Sequence, residues 1–278
     1  MTAWKYTMIG MMLAISPAWA DSQSKDQQSC INFLNGGMAK VVSQQLKASA
    51  KCIDAYARDK IETNAELCLD DATGVFKALD KVLEGGPAKC ATQPTIGPWD
   101  ASYVAYQVRG AATLLLIDLV GSLETELLKC SDPPEEHACK CQSTVAKTVA
   151  KLSSFYWKGF NKCKKSGLKA EGGNQIVDGA GLIACLVDPI KFDPKAKHAK
   201  LVEKTKAAIA KGCSPLVTNP LPNSDECQSL SGDALATCID QRTRCHVCAT
   251  LNDVDGINLY ESCDTFDDGL VNSSCHGA

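Results

Sequence analysis

The residues with the most chemistry in this sequence are its cysteines, which recur at equal intervals. Cys30 and Cys52 are 22 positions apart, and so are Cys68 and Cys90. A thiol can act as a nucleophile, a metal ligand or half of a disulfide, and an even number of cysteines in an exported chain favours disulfides. The chain has 16 cysteines, so it can form up to eight bridges.

A second group of cysteines repeats this interval. Cys141, Cys163 and Cys185 follow one another in steps of 22 residues, and Cys213 comes 28 residues later. Because a helix turns about 100° per residue, cysteines 22 apart lie near one helix face, about 33 Å from each other. Equal spacings therefore suit two antiparallel helices bridged at both ends.

Such hairpins predict disulfide pairs, one near the turn and one at the open end. The predicted pairs are Cys52–Cys68, Cys30–Cys90, Cys163–Cys185 and Cys141–Cys213. We expect the proline-interrupted segment Pro189 to Pro194 to absorb the longer last step of the second block. Cys130 and Cys139 flank a proline turn and could close a local loop. Six cysteines stay unassigned, because spacing does not choose among their many pairings: Cys227, Cys238, Cys245, Cys248, Cys263 and Cys275.

Some of these cysteines could also serve redox chemistry or metal binding. Cys245 and Cys248 form a C-x-x-C pair that could be a redox dithiol or half of a metal site, but four more cysteines lie nearby. His137 with Cys139 and Cys141 could form a small metal-ligand set, which would need free thiolates. The segment Asp253–Gly256 resembles a calcium loop in the wrong register, so a solvated, capped turn is favoured. Disulfide bonding is the preferred role of these cysteines.

No catalytic motif stands out. The chain has neither G-x-S-x-G nor H-E-x-x-H. Of its four histidines, His198 lies in a lysine-rich stretch that we interpret as an exposed helix face. We therefore assign no catalytic, cofactor-binding or metal-binding residue, expect no cofactor, and do not expect an enzyme.

The first 20 residues resemble an export signal. Lys5 precedes the short apolar stretch Met8–Ile15, and Ala18-Trp19-Ala20 is a small-residue cleavage pattern. A membrane anchor would need about 20 apolar residues. The later apolar run Ala111–Val120 contains Asp118, so no transmembrane segment is expected in the mature chain. The predicted location is secreted or periplasmic.

Composition and periodicity predict an all-α fold. Ile31, Leu34 and Met38 begin an amphipathic stripe that continues to Tyr56, and Val145 to Cys163 carries a second one. A partner helix is predicted from Glu66 to Leu83, ending at Gly85-Gly86-Pro87. Asp100 is a plausible N-cap for a central helix that is apolar on all sides and so buried, and Pro194–Ala210 is the last predicted helix.

The chain divides into five predicted parts. They are a signal peptide (1–20), a first disulfide-linked helical hairpin (21–97), a central apolar helix (98–130), a second hairpin block (131–217), and a linker with a small cysteine-rich tail (218–278).

The tail also carries a pattern that resembles a family of exported, cysteine-rich, alanine- and lysine-rich helical bacterial proteins of uncharacterised function. The pattern comprises Arg244-Cys245-His246-Val247-Cys248, Asn252, Asp255-Gly256, Cys263-Asp264, Phe266–Gly269, Asn272 and Cys275. The steps Cys163-Lys164-Lys165 and Ala184-Cys185-Leu186 are similar too. This chain departs from the family in having Cys139 beside Cys141. The resemblance implies no activity.

Three functions stay open. The leading hypothesis is a secreted, disulfide-rich protein with a non-catalytic binding, structural or assembly role, whose partner would be a protein or a second copy. The net charge of −3 and the lack of a basic tract do not favour nucleic acid. An alternative is a carrier of an apolar small ligand, with the segment Trp99–Val120 as the lining. A second alternative is an exported redox or metal-binding protein that uses Cys245 and Cys248.

Overall fold

The computed structural model of the chain is helical, and its described residues contain no strand. They are residues 22–62, 64–131, 136–169, 175–187, 196–213, 221, 227–257, 261–264, 266 and 275. The helices are α1 (Lys25–Ala57), α2 (Thr73–Lys89), α3 (Ala101–Val120), α4 (Glu136–Leu168), α5 (Gly179–Val187), α6 (Lys197–Gly212), α7 (Gly232–Asp255) and α8 (Glu261–Asp264). The predicted all-α fold is confirmed. The predicted signal peptide, Pro189–Pro194 and most of the linker Thr218–Asn223 lie outside the described residues.

Helix α1 is the long first arm of the predicted hairpin. Ser24 caps it by accepting a hydrogen bond from the Gln27 backbone, while the Gln27 side chain accepts one from the Ser24 backbone. The expected apolar stripe is buried, including Ile31, Leu34 and Met38. Its burial holds the helix against the core along its length.

Helix α4 packs antiparallel against α1 in the most extensive helix–helix contact of the described chain. Near one end the Ser143 hydroxyl donates to Asp54 over 2.8 Å. Near the other end the Asn161 side chain donates to the Asn35 carbonyl over 2.9 Å. These crossing points fix the register of the two long helices.

The partner helix of α1 differs from its prediction at both ends. Leu67–Asp71 forms a short 3-10 turn, and α2 then runs through Pro87 to Lys89. A proline in the last turn removes one backbone hydrogen bond, and the helix still closes because the Cys90 N–H donates to the Gly86 carbonyl. Gly86 also packs so tightly on Ala101 that a Cβ there would clash. Tertiary contact outweighs the local stop signal.

Helix α3 begins as predicted but is not buried on all sides. The Asp100 carboxylate caps it by accepting from the Tyr103 N–H over 2.9 Å. One face packs on α1, α2, α4 and α7, whereas Tyr106 and Leu114 on the other face are 58% and 57% exposed. Among the described helices, α3 alone is long and apolar enough to cross a membrane. This is weak evidence for a membrane span, because core helices meet the same criteria and 44% of its apolar window is buried.

The cysteine-rich tail is more than a peripheral knot. Its helix α7 packs on α3, α4 and α6 and buries an unusual set of polar side chains. They include Asp240, Arg242, His246, Asn252 and Asp255. The last predicted helix, Pro194–Ala210, is shifted along the chain and runs from Lys197 to Gly212. The C-terminal part therefore contributes to the core.

The disulfides give the two blocks the same layout. Cys30 and Cys141 each lie five residues after the start of a 33-residue helix. Each bonds to the C-cap residue of a later helix, Cys90 after α2 and Cys213 after α6. The corresponding Cα–Cα distances are 4.6 and 4.4 Å. This correspondence supports an internal repeat, which remains a prediction.

Alanine substitutions at two adjacent glycines in α1 should change the free energy of unfolding in opposite directions. Gly36→Ala meets no atom within 4 Å and should raise the free energy of unfolding by about 0.5–1 kcal/mol, because alanine costs less conformational entropy in a helix. Gly37→Ala would place its Cβ against Val82, and we expect a loss of about 1–3 kcal/mol. Urea unfolding of both variants measures this. Equal effects of the two substitutions would contradict the close contact of α1 with α2.

Candidate functional site

Every cysteine of the chain is in a disulfide. The pairs that spacing predicted are formed: Cys30–Cys90, Cys52–Cys68, Cys130–Cys139, Cys141–Cys213 and Cys163–Cys185. The pairs that spacing left open are Cys227–Cys238, Cys245–Cys275 and Cys248–Cys263. No thiol is free in this structure.

This pairing separates the sulfurs of the C-x-x-C motif. Cys245 and Cys248 bond to different partners instead of forming one redox pair. Cys139 and Cys141 beside His137 are likewise bonded elsewhere. The described residues hold no group of three or more His, Cys, Asp or Glu side chains that could bind a metal ion.

The predicted calcium-like turn is a helix end. Asp253 and Asp255 lie in the last turn of α7, and Gly256 caps it in the left-handed conformation. Asp255 is not solvated as expected, since its side chain is fully buried and pairs with Lys164 over 2.6 Å. The turn is therefore structural.

A second buried charge cluster joins α3 to α7. Arg242 donates from Nε and Nη2 to the two oxygens of the Asp118 carboxylate, and His246 Nε2 lies 3.0 Å from Oδ2. Burial alone would raise the pKa of Asp118, but the His246 hydrogen bond and the Arg242 charge outweigh it, so the pKa lies below its ordinary value. The cluster holds α3 and α7 together.

Together with the nearby Ser153, Asp118 and His246 have the residue types of a serine hydrolase, but no substrate could reach the serine. Ser153 and His246 line one small void of about 10 Å³, and the Ser153 hydroxyl has no hydrogen-bond partner. Ser153 is fully buried. A nucleophile must reach its substrate, so this arrangement cannot do acyl transfer in the structure described.

A third polar group joins α4, α6 and α7. The Tyr156 hydroxyl donates to Asp240 over 2.5 Å and lies 2.8 Å from His198 Nε2. The expected exposure of His198 is wrong, because its side chain is only 16% exposed. Burial and the Asp240 charge raise the pKa of Tyr156 above its usual range. The Tyr156 hydroxyl therefore stays protonated and donates a hydrogen bond that joins α4 to α7.

A large cavity lies where the loop before α3 meets the end of α7. Its volume is about 540 Å³, within the range of small-molecule sites. Trp99 and Tyr103 line the cavity, and 54% and 52% of their surfaces are exposed. Its other apolar walls come from Ile96, Val104, Leu182, Val254 and Ile257. The predicted lining segment Trp99–Val120 thus contributes only its first turn.

The cavity is acidic. Asp100, Asp253 and Asp255 line it, and the described lining residues include no lysine, arginine or histidine. Asp100 caps α3 and is held in place, whereas Asp255 lies fully buried against Lys164 and adds no exposed charge to the cavity. The arrangement suits neutral or cationic molecules with an aromatic or aliphatic body.

A second open groove, of about 500 Å³, runs between α1 and α4. Its floor holds Ala50 and Ala150, and Asp54 is the one acidic residue among its described lining. Exposed lysines from both helices surround it: Lys47, Lys51, Lys147, Lys151 and Lys158. Sequence reasoning missed this groove, although lysines four apart at 47 and 51 and again at 147 and 151 could have indicated it.

Comparisons with known proteins add no assignment. No protein-family model matches the chain, and no curated protein or solved structure was found to be similar to it. The family resemblance of the tail remains a prediction.

Asp118 provides a test of the α3–α7 cluster. Asp118→Asn should lower the free energy of unfolding at pH 7 by about 1–3 kcal/mol, the usual worth of hydrogen bonds to a charged group. Because the folded pKa is lowered, this contribution is present above the unfolded pKa of about 3.9 and is lost as the pH falls through the folded value. Urea unfolding at pH 7 and at pH 3 measures both.

The matched control is Asp80→Asn on the exposed face of α2. It should change the unfolding free energy little at either pH. A penalty for Asp118→Asn that is equally large at pH 3 would show that packing, and not the charge, stabilises the cluster.

Proposed function

We propose that this protein is a non-catalytic binding protein whose helices are locked by disulfides and whose ligand is a small molecule. The cavity beside Trp99 carries the proposal, because it combines the size of a ligand site with two exposed aromatic rings. Exposing the apolar tryptophan ring to water is unfavourable, and tryptophan is enriched among the residues that dominate binding energy at interfaces. The ligand would be neutral or cationic with an apolar body.

The frame around the cavity supports this role. The Cys30–Cys90 bridge holds the end of α2 just before the lining residues Gln93–Gly97. Gln23 accepts from the Thr95 N–H over 3.1 Å and so ties the same loop to the start of α1. A site held in place loses less entropy when it binds a ligand.

Two dyes with the same apolar body test the cavity. We expect neutral phenylnaphthylamine to bind and to change the fluorescence of Trp99, which is exposed, while Trp157 is buried. Anionic anilinonaphthalene sulfonate should bind more weakly, since the described lining is acidic. Fluorescence titration at low salt measures both affinities.

Substitutions locate the dye. Trp99→Ala should weaken phenylnaphthylamine binding, read by dye fluorescence, by about 2 kcal/mol or more. Tyr106→Ala is the matched control, because Tyr106 is equally exposed on α3 but does not line the cavity. Equal losses from both substitutions, or no binding at all, would contradict the proposal.

The lysine groove supports a second candidate, a binding surface for an anionic partner. Five lysines around one acidic residue concentrate positive charge on a chain of net charge −3. Heparin is a suitable polyanionic probe, and its binding should weaken with salt. The double variant Lys47→Glu with Lys151→Glu should abolish it, whereas Lys200→Glu with Lys204→Glu on α6 should not. Retention on heparin by the groove variant would exclude this role.

Export and self-association remain proposals. Eight disulfides fit an oxidising compartment. A signal peptide at residues 1–20 would deliver the chain there. If the chain self-associates, the exposed face of α3 with Tyr106 and Leu114 is the apolar surface that would form the contact.

A further inference from the structure

The most unusual buried group in the molecule is a lysine between an amide and a carboxylate from three different helices. Lys164 on α4 lies with its Nζ 2.6 Å from Asp255 Oδ1 on α7 and 3.4 Å from Asn35 Oδ1 on α1. The side chains of Lys164 and Asp255 are fully buried, and Asn35 is 2% exposed. The inference below does not depend on binding of the dye or polyanion proposed above, although Asp255 and Gly97 also belong to the lining of the Trp99 cavity.

A simple ion pair leaves this group poorly satisfied. The Asn35 Nδ2 and the Asp255 Oδ2 are both buried and have no hydrogen-bond partner. A lysine ammonium has three donors, and the structure offers it two acceptors. Burying an ion pair also carries a large desolvation cost, which is recovered only where the remaining polar atoms are bonded.

Burial opposes the charged form of both groups. Burial lowers the pKa of Lys164 although the Asp255 charge opposes it, and burial raises the pKa of Asp255 although Lys164 opposes it. The Phe160 ring lies 5.3 Å from the amine. Gly97 closes over it so tightly that a Cβ there would lie 3.1 Å from Nζ. A neutral amine has a free lone pair and is a nucleophile.

We propose that Lys164 and Asn35 form a covalent amide cross-link, with Asp255 as the proton carrier. The amide carbon of Asn35 lies within about 4.6 Å of the amine, given a C=O bond of about 1.23 Å. A movement of about 1 Å would bring the two atoms to the 3–3.5 Å of a reactive contact.

The reaction is balanced without any outside reagent. The Nζ lone pair attacks Cγ of Asn35, and the Nζ–Cγ bond forms. Asp255, protonated at the start, donates its proton to the departing Nδ2 and takes one from Nζ. The Cγ–Nδ2 bond breaks and ammonia leaves. The product is a neutral secondary amide that joins α1 to α4, and Asp255 ends protonated as it began.

Mass spectrometry of the purified full-length protein tests the link. After reduction of the disulfides and digestion with trypsin, the expected product is a branched peptide that joins residues 26–40 to residues 163–165 and lacks one ammonia. Cleavage after Lys164 should be absent. Separate linear peptides at their sequence masses would overturn the proposal.

Two further mass outcomes would also overturn it. Loss of one water would mean a bond between Lys164 and Asp255 instead. Loss of ammonia within the peptide 26–40 alone would mean a succinimide at Asn35-Gly36.

Variants test the role of Asp255. Asp255→Asn should leave the linear peptides, because the proton carrier is gone while both reacting residues remain. Asp253→Asn, two residues earlier on α7, should keep the branched peptide. A branched peptide in Asp255→Asn would exclude Asp255 from the reaction. The wild-type measurement decides the link even if this variant does not fold.

Discussion

The rest of the structure depends on two disulfides that close the open ends of the helical hairpins. Cys30–Cys90 and Cys141–Cys213 each join the start of a 33-residue helix to the C-cap of a shorter one. Each such bridge is worth about 2–4 kcal/mol, largely because it restricts the unfolded chain. Each long helix is thus bridged near its own N-terminus, α1 and α4 pack antiparallel along their length, and α3 and α7 complete the core.

The hairpin frame could be predicted because disulfide geometry is strict and cysteine spacing is a simple readout of it. The end of α2 could not, because Gly85-Gly86-Pro87 is a strong local stop that a tertiary contact at Gly86 overrides. The tail pairs could not be predicted either, since they depend on how α7 packs. Equal cysteine spacing predicts bridges only between two paired helices, whereas α7 is bridged to Cys263 and Cys275, which do not lie on a paired helix of matching spacing.

Polar residues explain most of what sequence reasoning missed at the candidate sites. The sequence neighbours of Asp118, His198 and Asp255 do not show that each lies against a charged or polar partner from another helix. Such partners are distant in sequence, so no local pattern reveals them. The sequence predicted part of the cavity wall, since the start of the expected lining segment Trp99–Val120 does contribute to it. The lysine groove arises only when α1 and α4 meet.

Non-reducing peptide mapping of the intact protein tests the central claim, the two hairpins closed at both ends, most directly. The account predicts that Cys30 is joined to Cys90, Cys52 to Cys68, Cys141 to Cys213 and Cys163 to Cys185. A bridge between cysteines of the two different blocks, or free thiols at Cys30 and Cys90, would contradict it.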